Sequence, residues 1–458
     1  MLDYSKIITQ LESMDSDRKR RYKEYLDFYN GHQWPNNQRT SRRITVNYAQ
    51  ALIDKVTSYL MGGMVVNIAP FQNTQEEKNR AFEAENYLHH QVFAPNNIES
   101  LDYTTEVDAA ILGDSAYKIT WDITEQRIKI TAPDVGGIYL WSVDGSHSKY
   151  HLLVSQYEIP NETARTYGIT SNRPRLTAIE FWTEQNFQLW INKEKAIDIP
   201  NPYNLIPFII FPNLVNPKEL WGRSDIPQLI ETQVELNREA TQLSKILELS
   251  GNPITVLENI SESNDITITP GKIWELPEGA KAYLLDLLHG GGMSLHLDYI
   301  NMLFNILHDL SETPKAAWGT TDRDLSGVAL EIEMQPLLQK VARKRAIREH
   351  VYTKRNDITF SILRTMTGID FTNLESRISW QPVLPRDTTR MVNEESLLVE
   401  KLIHPRRISM ERLGITDTEA VFKEALDERE RILSQNRPTT STKPTTERES
   451  SNSGEALK

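Results

Sequence analysis

Residues 311–345 read SETPKAAWGTTDRDLSGVALEIEMQPLLQKVARKR. The first part is polar and carries Pro314, Trp318 and Gly319. The second opens a helical pattern that continues from Ser326 to Thr367. At 1.5 Å per residue that helix would be on the order of 60 Å long. Pro336 lies inside it and predicts a bend. A loop projected from such a rod reaches what the body of a protein cannot. Upstream of the loop, Ile300, Leu303, Phe304, Leu307 and Leu310 form one helical stripe, predicting a helix over Ser294–Leu310. Farther back, Ile226, Ile230, Val234, Leu243 and Leu247 predict another over Ser224–Ser250, with Ser224 available as N-cap. Between the two, Ile266 and Ile268 alternate with polar residues, and Gly251, Pro253, Pro270-Gly271, Pro277, Gly279 and Gly290–Gly292 punctuate the chain. Two helices bracketing a small β insert make a stalk with a tip.

The same reading covers the rest of the chain. A helix is expected from Tyr4 to about Tyr29, stopped by Asn30-Gly31, a second over Val46–Leu60 before Gly62-Gly63, and a third over Thr74–His90. Between Ala116 and Phe211 the period changes to two. Tyr117, Ile119 and Trp121, then Ile128 and Ile130, then Ile179, Phe181, Phe187, Leu189 and Ile191 alternate with polar residues, which predicts an antiparallel sheet packed on helices. After the long helix, Ile378, Trp380 and Val383 predict one returning strand, and Asn393 to about Leu433 two or three short helices. From Asn436 the chain is rich in Ser, Thr and Pro without apolar periodicity and reads as a disordered tail. The fold class expected is α+β, mainly helical.

Composition bounds the function. At 458 residues the chain is long enough for several packed units, and 39% apolar content supports a core. The longest apolar run, near Leu205–Val215, is broken by Pro207 and Pro212 and is far shorter than the roughly 20 residues that cross a bilayer, so no membrane anchor is expected. The opening MLDYSKIITQLESM carries acids where a secretion signal needs basic residues, and it lacks a continuous apolar core. The chain is therefore expected to stay in the cell that makes it. Zero cysteines removes disulfides, thiolate metal sites and cysteine nucleophiles. A net charge of -12 argues against a protein that grips nucleic acid over its whole surface, so any DNA contact must be local or weak.

Candidate chemistry is sparse. Gly271-Lys272 is the one hint of a phosphate loop, but Ile273 follows where a hydroxyl is needed and no glycine sits at the earlier spacing, so a plain turn at Pro270-Gly271 explains it. Asp322-Arg323-Asp324 resembles a carboxylate pair for magnesium but has no third acidic ligand or base beside it. A solvated acidic loop accounts for it. The histidines, among them His89-His90, His296 and His308, show no metal spacing. Trp318 is either a packing anchor for the loop base or an aromatic facing outward. Lys340, Arg343, Lys344 and Arg348, in a run with Arg345, Lys354 and Arg355 and only Glu349 opposed, have two readings. One is a solvated face, or one that meets acids on a neighbouring subunit; the other is a DNA-facing basic stripe.

Several stretches resemble a known family. YLDFYNGHQWP, NYAQALIDKVTSYLMGG, IPFIIFPNLVNPKELWGRSDIPQLIETQVELN and SGVALEIEMQPL are similar to the corresponding parts of portal proteins of tailed double-stranded DNA bacteriophages, of the siphovirus type. The segment Asn393–Glu428, with Pro405-Arg406-Arg407-Ile408-Ser409, resembles that family's C-terminal helices. The resemblance implies a portal fold in a definite order: wing 1–223, stem helix 224–250, clip 251–292, second stem helix 293–312, tunnel loop 313–325, long wing helix and strand 326–387, crown 388–435 and tail 436–458.

It also implies a homo-oligomeric ring, usually a homododecamer, at the capsid vertex of the virion, assembled in the host cytoplasm, with double-stranded DNA passing through its centre. The implied partners are the terminase large subunit, the major capsid and scaffolding proteins and a head-completion adaptor; no cofactor and no enzymatic step are implied. Lys315, Trp318, Thr320, Thr321, Asp322, Arg323 and Asp324 would then face the DNA channel, and Ser261, Asn264, Asp265, Thr267 and Thr269 would lie at the docking clip. Two other readings compete: a head–tail connector ring, and a nucleic-acid-processing hydrolase of the packaging machine. The stem–clip–stem insert speaks against the first and the missing phosphate loop against the second.

Overall fold

A computed structural model describes residues 4–11, 13–34, 43–72, 74–143, 149–251, 255–258, 278–284, 292–319, 327–383, 388–403, 405–413, 415 and 418–435. The chain divides into two compact units, Met1–Val383 and Leu384–Lys458.

The larger unit begins with α1 (Tyr4–Leu11) and α2 (Ser16–Tyr29), where one helix was expected. The break has a local cause: Asp15 adopts a left-handed backbone at φ 53°, which turns the chain so that buried Leu11 packs with Tyr139, Leu152, Val154 and Phe181. α3 (Tyr48–Met61) is capped by the Asn47 side chain, which accepts from the Gln50 N–H. It buries Leu52, Ile53, Val56 and Leu60, the stripe that the sequence shows. β1 (Met64–Pro70) follows, a strand the periodicity did not reveal. It explains the returning strand β12 (Leu374–Trp380), which pairs with it antiparallel, Val66 opposite Ile378.

α4 (Gln75–Tyr87) runs through a π-helical turn, Leu88–Phe93, and the short α5 (Ala94–Asn96) into α6 (Ile98–Leu112). The expected sheet is two sheets. β2 (Asp114–Asp122) is the centre of a three-stranded sheet with β3 (Arg127–Thr131) and β9 (Phe208–Pro212) on its flanks. β4 (Ile138–Ser142), β5 (Tyr150–Pro160), β6 (Arg175–Trp182), β7 (Asn186–Ile191) and β8 (Glu194–Pro200) form an antiparallel meander in chain order, with α7 (Asn161–Thr166) between β5 and β6.

α8 (Ile230–Gly251) and α9 (Gly292–Ser311) flank a hairpin of β10 (Thr255–Glu258) and β11 (Lys281–Leu284). The expected strand at Ile266 and Ile268 and the turn at Pro270-Gly271 lie outside the described residues. Ser224 is not the cap of α8. Its hydroxyl donates to the Ile111 carbonyl and accepts from the Ile226 N–H, fastening the turn before α8 to the end of α6. α10 (Gly327–Thr367) stays helical through Pro336. The proline withholds its N–H from the carbonyl four residues back, that of Ile332, and this position is solvent-exposed, so water can take its place. The main core joins β1, the π turn, β2, β3, β9 and the second half of α10, with Tyr117, Phe211, Tyr352 and Phe360 at its centre. The smaller unit holds α11 (Thr388–Glu400), α12 (Arg406–Arg412) and α13 (Thr418–Gln435). The expected tail from Asn436 is outside the described residues.

A buried latch ties α2 to the start of β2. Asp114 accepts from the Tyr22 hydroxyl at 2.7 Å and from the Gly222 N–H at 2.7 Å, beside Arg18, whose guanidinium stacks 3.9 Å from the Trp221 ring. Burial pushes the Asp114 carboxyl up to about 6, against those donors and Arg18. A carboxyl raised above its unfolded value of about 4 binds its proton more tightly in the folded chain. Its contribution to stability is therefore full below about pH 4 and is lost as pH rises through about 6, some 3 kcal/mol in order of magnitude. Denaturation midpoints followed from pH 4 to 7 should fall more steeply for the natural chain than for Asp114→Asn. Equal slopes would remove Asp114 as the cause.

Candidate channel site at the root of the loop

α8 and α9 run antiparallel. His296 meets Glu239 at 3.1 Å near one end, while Leu229 and Leu236 share a buried cluster with Leu303 and Leu307 toward the other. The polar face of α8 is used as well. Asn237 Oδ1 accepts from the Val46 N–H, Thr241 Oγ1 accepts from the Ile44 N–H, and Gln233 Nε2 donates to the Val46 carbonyl. These side chains hold the extended segment before α3 against α8, a role that their polar character hid in the sequence.

The loop begins where α9 ends, and its first residues are pinned on several sides. Glu312 turns left-handed at φ 56°, His308 Nδ1 lies 2.6 Å from the Thr313 carbonyl, and Lys340 of α10 donates to the Ser311 carbonyl at 3.0 Å. The Lys340 ammonium thus caps the end of α9, where unsatisfied carbonyls collect. A 3₁₀ turn, Lys315–Trp318, follows. Trp318 is partly buried against the cluster of Leu303 and Leu307, edge-on to His308 at 6.0 Å and under the Lys55 ammonium at 5.4 Å. Tyr59 donates its hydroxyl to the Ala317 carbonyl. Of the two readings of Trp318, the geometry matches the packing anchor. Lys315 is exposed beyond it, 5.5 Å from the Phe304 ring. Thr320, Thr321, Asp322, Arg323 and Asp324 lie outside the described residues, as do Ser261, Asn264, Asp265, Thr267 and Thr269.

The basic run on α10 corrects the sequence reading. Lys340 and Lys344 are buried, at 2% and 1% exposure, and both pair with Asp225, at 3.2 and 2.6 Å. Arg348 is fully buried against Glu106 of α6 at 2.7 Å and also donates to the carbonyls of Pro212 and Asn213. None of the three is a solvated face, a DNA-facing stripe or a contact for another subunit, because each is enclosed by acids of its own chain. Arg343 remains half-exposed and pairs with Glu312 at 2.6 Å. Arg345 donates to the carbonyls of Tyr59, Leu60 and Gly62, closing the end of α3, and Arg355 meets Asp102 at 2.6 Å.

Burial alone would raise the Asp225 carboxyl, but the ammonium groups of Lys340 and Lys344 outweigh it and hold it well below the usual carboxylate range. Burial, together with Lys340 and Arg348 and against the pull of Asp225, brings the Lys344 ammonium down to about 8. The result is a charged joint. Asp225 precedes α8, Lys340 caps α9, and both lysines stand on α10, so the helices on either side of the loop meet at one carboxylate.

Among the described residues no group of His, Asp and Glu could hold a metal ion, and no helix is long and apolar enough to cross a membrane. His89 contacts the Val66 carbonyl, and His296 and His308 have the protein partners given above. Over residues 9–435 the sequence matches the family described as phage portal protein, SPP1 Gp6-like. The chain belongs to this portal protein family. No curated protein matches it. The matched span runs from within α1 to the end of α13, so the loop root, the α8–α9 pair and the helices of the smaller unit all lie inside the portal region.

Proposed function

We propose that this portal family member assembles into a closed ring, a homododecamer in the family's usual form, at one vertex of the capsid, and that double-stranded DNA is packaged and later ejected through its centre. The family match over residues 9–435 carries this reading. The loop root supports it: residues 311–319 are held by α9, α10 and α3 together, so the following residues start from a fixed base. In the ring the segment 313–325 lines the channel, with Lys315 and the loop residues Thr320, Thr321, Asp322, Arg323 and Asp324 nearest the DNA. The chain acts as a conduit and performs no chemical step.

Leu247 on α8, Leu295 and Met302 on α9 and Ile332 on α10 are exposed apolar side chains, which suits contacts between subunits. The β10–β11 tip docks the terminase large subunit during filling and a head-completion adaptor afterwards, through a two-stranded antiparallel pair of the kind that accepts a further strand from a partner. Major capsid and scaffolding proteins surround the ring. Deleting Ser261–Thr269 should leave rings intact and abolish capture of the motor in a pull-down. Motor capture at the natural level by the deletion variant counts against the docking assignment.

A further inference from the structure

A cleft lies away from the loop, between α2, the end of α6 and the turn at residues 132–136 that follows β3. Its volume is about 550 Å³, within the range of small-molecule sites. Lys19, Tyr22, Lys23 and Leu26 recur at helical spacing, so one stripe of α2 forms a wall. Asp108 and Leu112, four apart on α6, line the same cleft with Pro133 and Asp134 of the turn. Ser115 of β2 is the most enclosed polar residue of the lining, at 3% exposure.

The polar groups of this lining are unequally engaged. The Tyr22 hydroxyl is held by Asp114, Lys19 donates to the Tyr139 hydroxyl, and Asp134 Oδ1 accepts from the Gly136 N–H at 2.8 Å. The Asp108 carboxylate, Asp134 Oδ2, the Lys23 ammonium and the Ser115 hydroxyl have no hydrogen-bond partner among the described residues. For the two aspartates and Lys23, which are exposed, water serves. Ser115 is different, because a hydroxyl on a residue this enclosed is ordinarily bonded within the protein. It is not sealed in the core either, since it forms part of the cleft surface.

The charges are divided between the walls. On one side Asp108 and Asp134 repel each other: loss of water where it faces the cleft, and then the Asp134 charge, push the Asp108 carboxyl up to about 6. Two carboxylates so placed favour a cation beside them. An alkylammonium has three N–H donors, and Asp108, Asp134 Oδ2 and Ser115 Oγ offer three unused acceptors. On the other side, Lys19 and Lys23 of α2 repel a second positive group and attract a negative one. Leu26, Leu112 and Pro133 supply apolar surface for a carbon chain, and no further charged side chain lines the cleft among the described residues.

We propose that this cleft binds a small amino-carboxylate zwitterion, its ammonium on Asp108, Asp134 and Ser115, its hydrocarbon chain along Leu26, Leu112 and Pro133, and its carboxylate at Lys23. A bare amine meets the two lysines unfavourably and a bare carboxylate the two aspartates, so the cleft selects a ligand that carries both charges.

Calorimetric titration of the full chain tests this with three probes: ε-aminocaproate, hexylamine and caproate. The zwitterion is expected to bind most tightly, hexylamine several-fold more weakly, and caproate not at all. Asp108 and Lys23 are exposed, so their variants should stay folded. Asp108→Asn should weaken ε-aminocaproate several-fold, and Lys23→Gln should remove its advantage over hexylamine. In the natural chain the affinity should rise from pH 5 to 7 as Asp108 gives up its proton, and Asp108→Asn should abolish that rise. No heat with ε-aminocaproate, either single-charge probe binding as tightly as the zwitterion, or equal affinities in the natural chain and the Asp108 variant would each overturn the assignment.

Discussion

Replacing Asp225 by alanine is expected to destabilise the larger unit by at least 3–5 kcal/mol in order of magnitude, the usual result of removing one partner from a buried ion pair. The expectation is at the high end because two ammonium groups, Lys340 and Lys344, at 2% and 1% exposure, both lose the counter-charge they pair with. The pH dependence gives the cause a signature. In the natural chain the depressed Asp225 carboxyl contributes stability that is full above the unfolded value of about 4 and is lost only as pH falls through its lower folded value.

Lys344 behaves in the opposite sense. Held at about 8 in the folded chain against a usual value of 10.5, it gives up its proton more readily when folded, so stability rises with pH between those limits. Without Asp225 the Lys344 ammonium is pushed down further, and the defect of Asp225→Ala should shrink as pH rises from 7 to 10. Chemical denaturation across that range would show it, and a constant defect would mean that the charges are not what the substitution disturbs. Replacing the triad with Asp225→Leu, Lys340→Met and Lys344→Leu should recover much of the loss, since buried pairs often exchange for apolar residues without penalty. Recovery should stop short by about 1–3 kcal/mol, because Lys340→Met also leaves the Ser311 carbonyl at the end of α9 without its donor.

The second large effect is on transport. Lys315, Asp322, Arg323 and Asp324 nearly cancel in charge, which fits the proposed reading that DNA slides past this loop: charge contacts in water contribute roughly 1 kcal/mol or less each, weak enough to break at every step. Changing Asp322 and Asp324 to lysine turns the loop strongly positive in every subunit at once. Rings should still form, because the joint at Asp225 and the Trp318 anchor are untouched. DNA packaging in a reconstituted system should slow or stall, more severely at low salt, where the attraction is less screened. Natural rate and extent across salt concentrations would place the channel elsewhere.

The elements with a strong local period were legible. The stripe Ile300, Leu303, Phe304, Leu307 and Leu310 gave α9, and the unbroken pattern after Ser326 gave α10, each with ends close to those observed. What depends on distant partners was not. β1 shows little alternation, and it exists as a strand because β12, some 300 residues later, supplies its ladder. The turn at Asp15 has no glycine or proline to announce it.

The basic run was misread for a related reason. Its acids, Asp102, Glu106 and Asp225, lie more than 100 residues upstream, so charge counting within the run sees the cations opposed by Glu349 alone. A finer signal was present. Lys344, Arg348 and Arg355 share one helical stripe with Leu337, Val341, Val351 and Tyr352, and Asp102 and Glu106 stand four apart on α6 on the face of Ala109 and Ala110. Charges on an apolar stripe of one helix call for opposite charges on the apolar stripe of another. Trp318 was the reverse case: a lone aromatic in a polar loop fits either role, and only His308, Lys55 and the leucines of α9 around it favour the anchor.

The central claim is that this chain is the wall of a DNA conduit, and electron microscopy of the purified full-length protein, carried to side-chain detail, tests it most directly. The account predicts closed rings with an axial channel whose narrowest part is lined by residues 313–325 from every subunit, with Trp318 packed at the loop base and the Asp225 joint behind it. A monomer under all salt conditions, or a ring in which that segment faces outward, would contradict it.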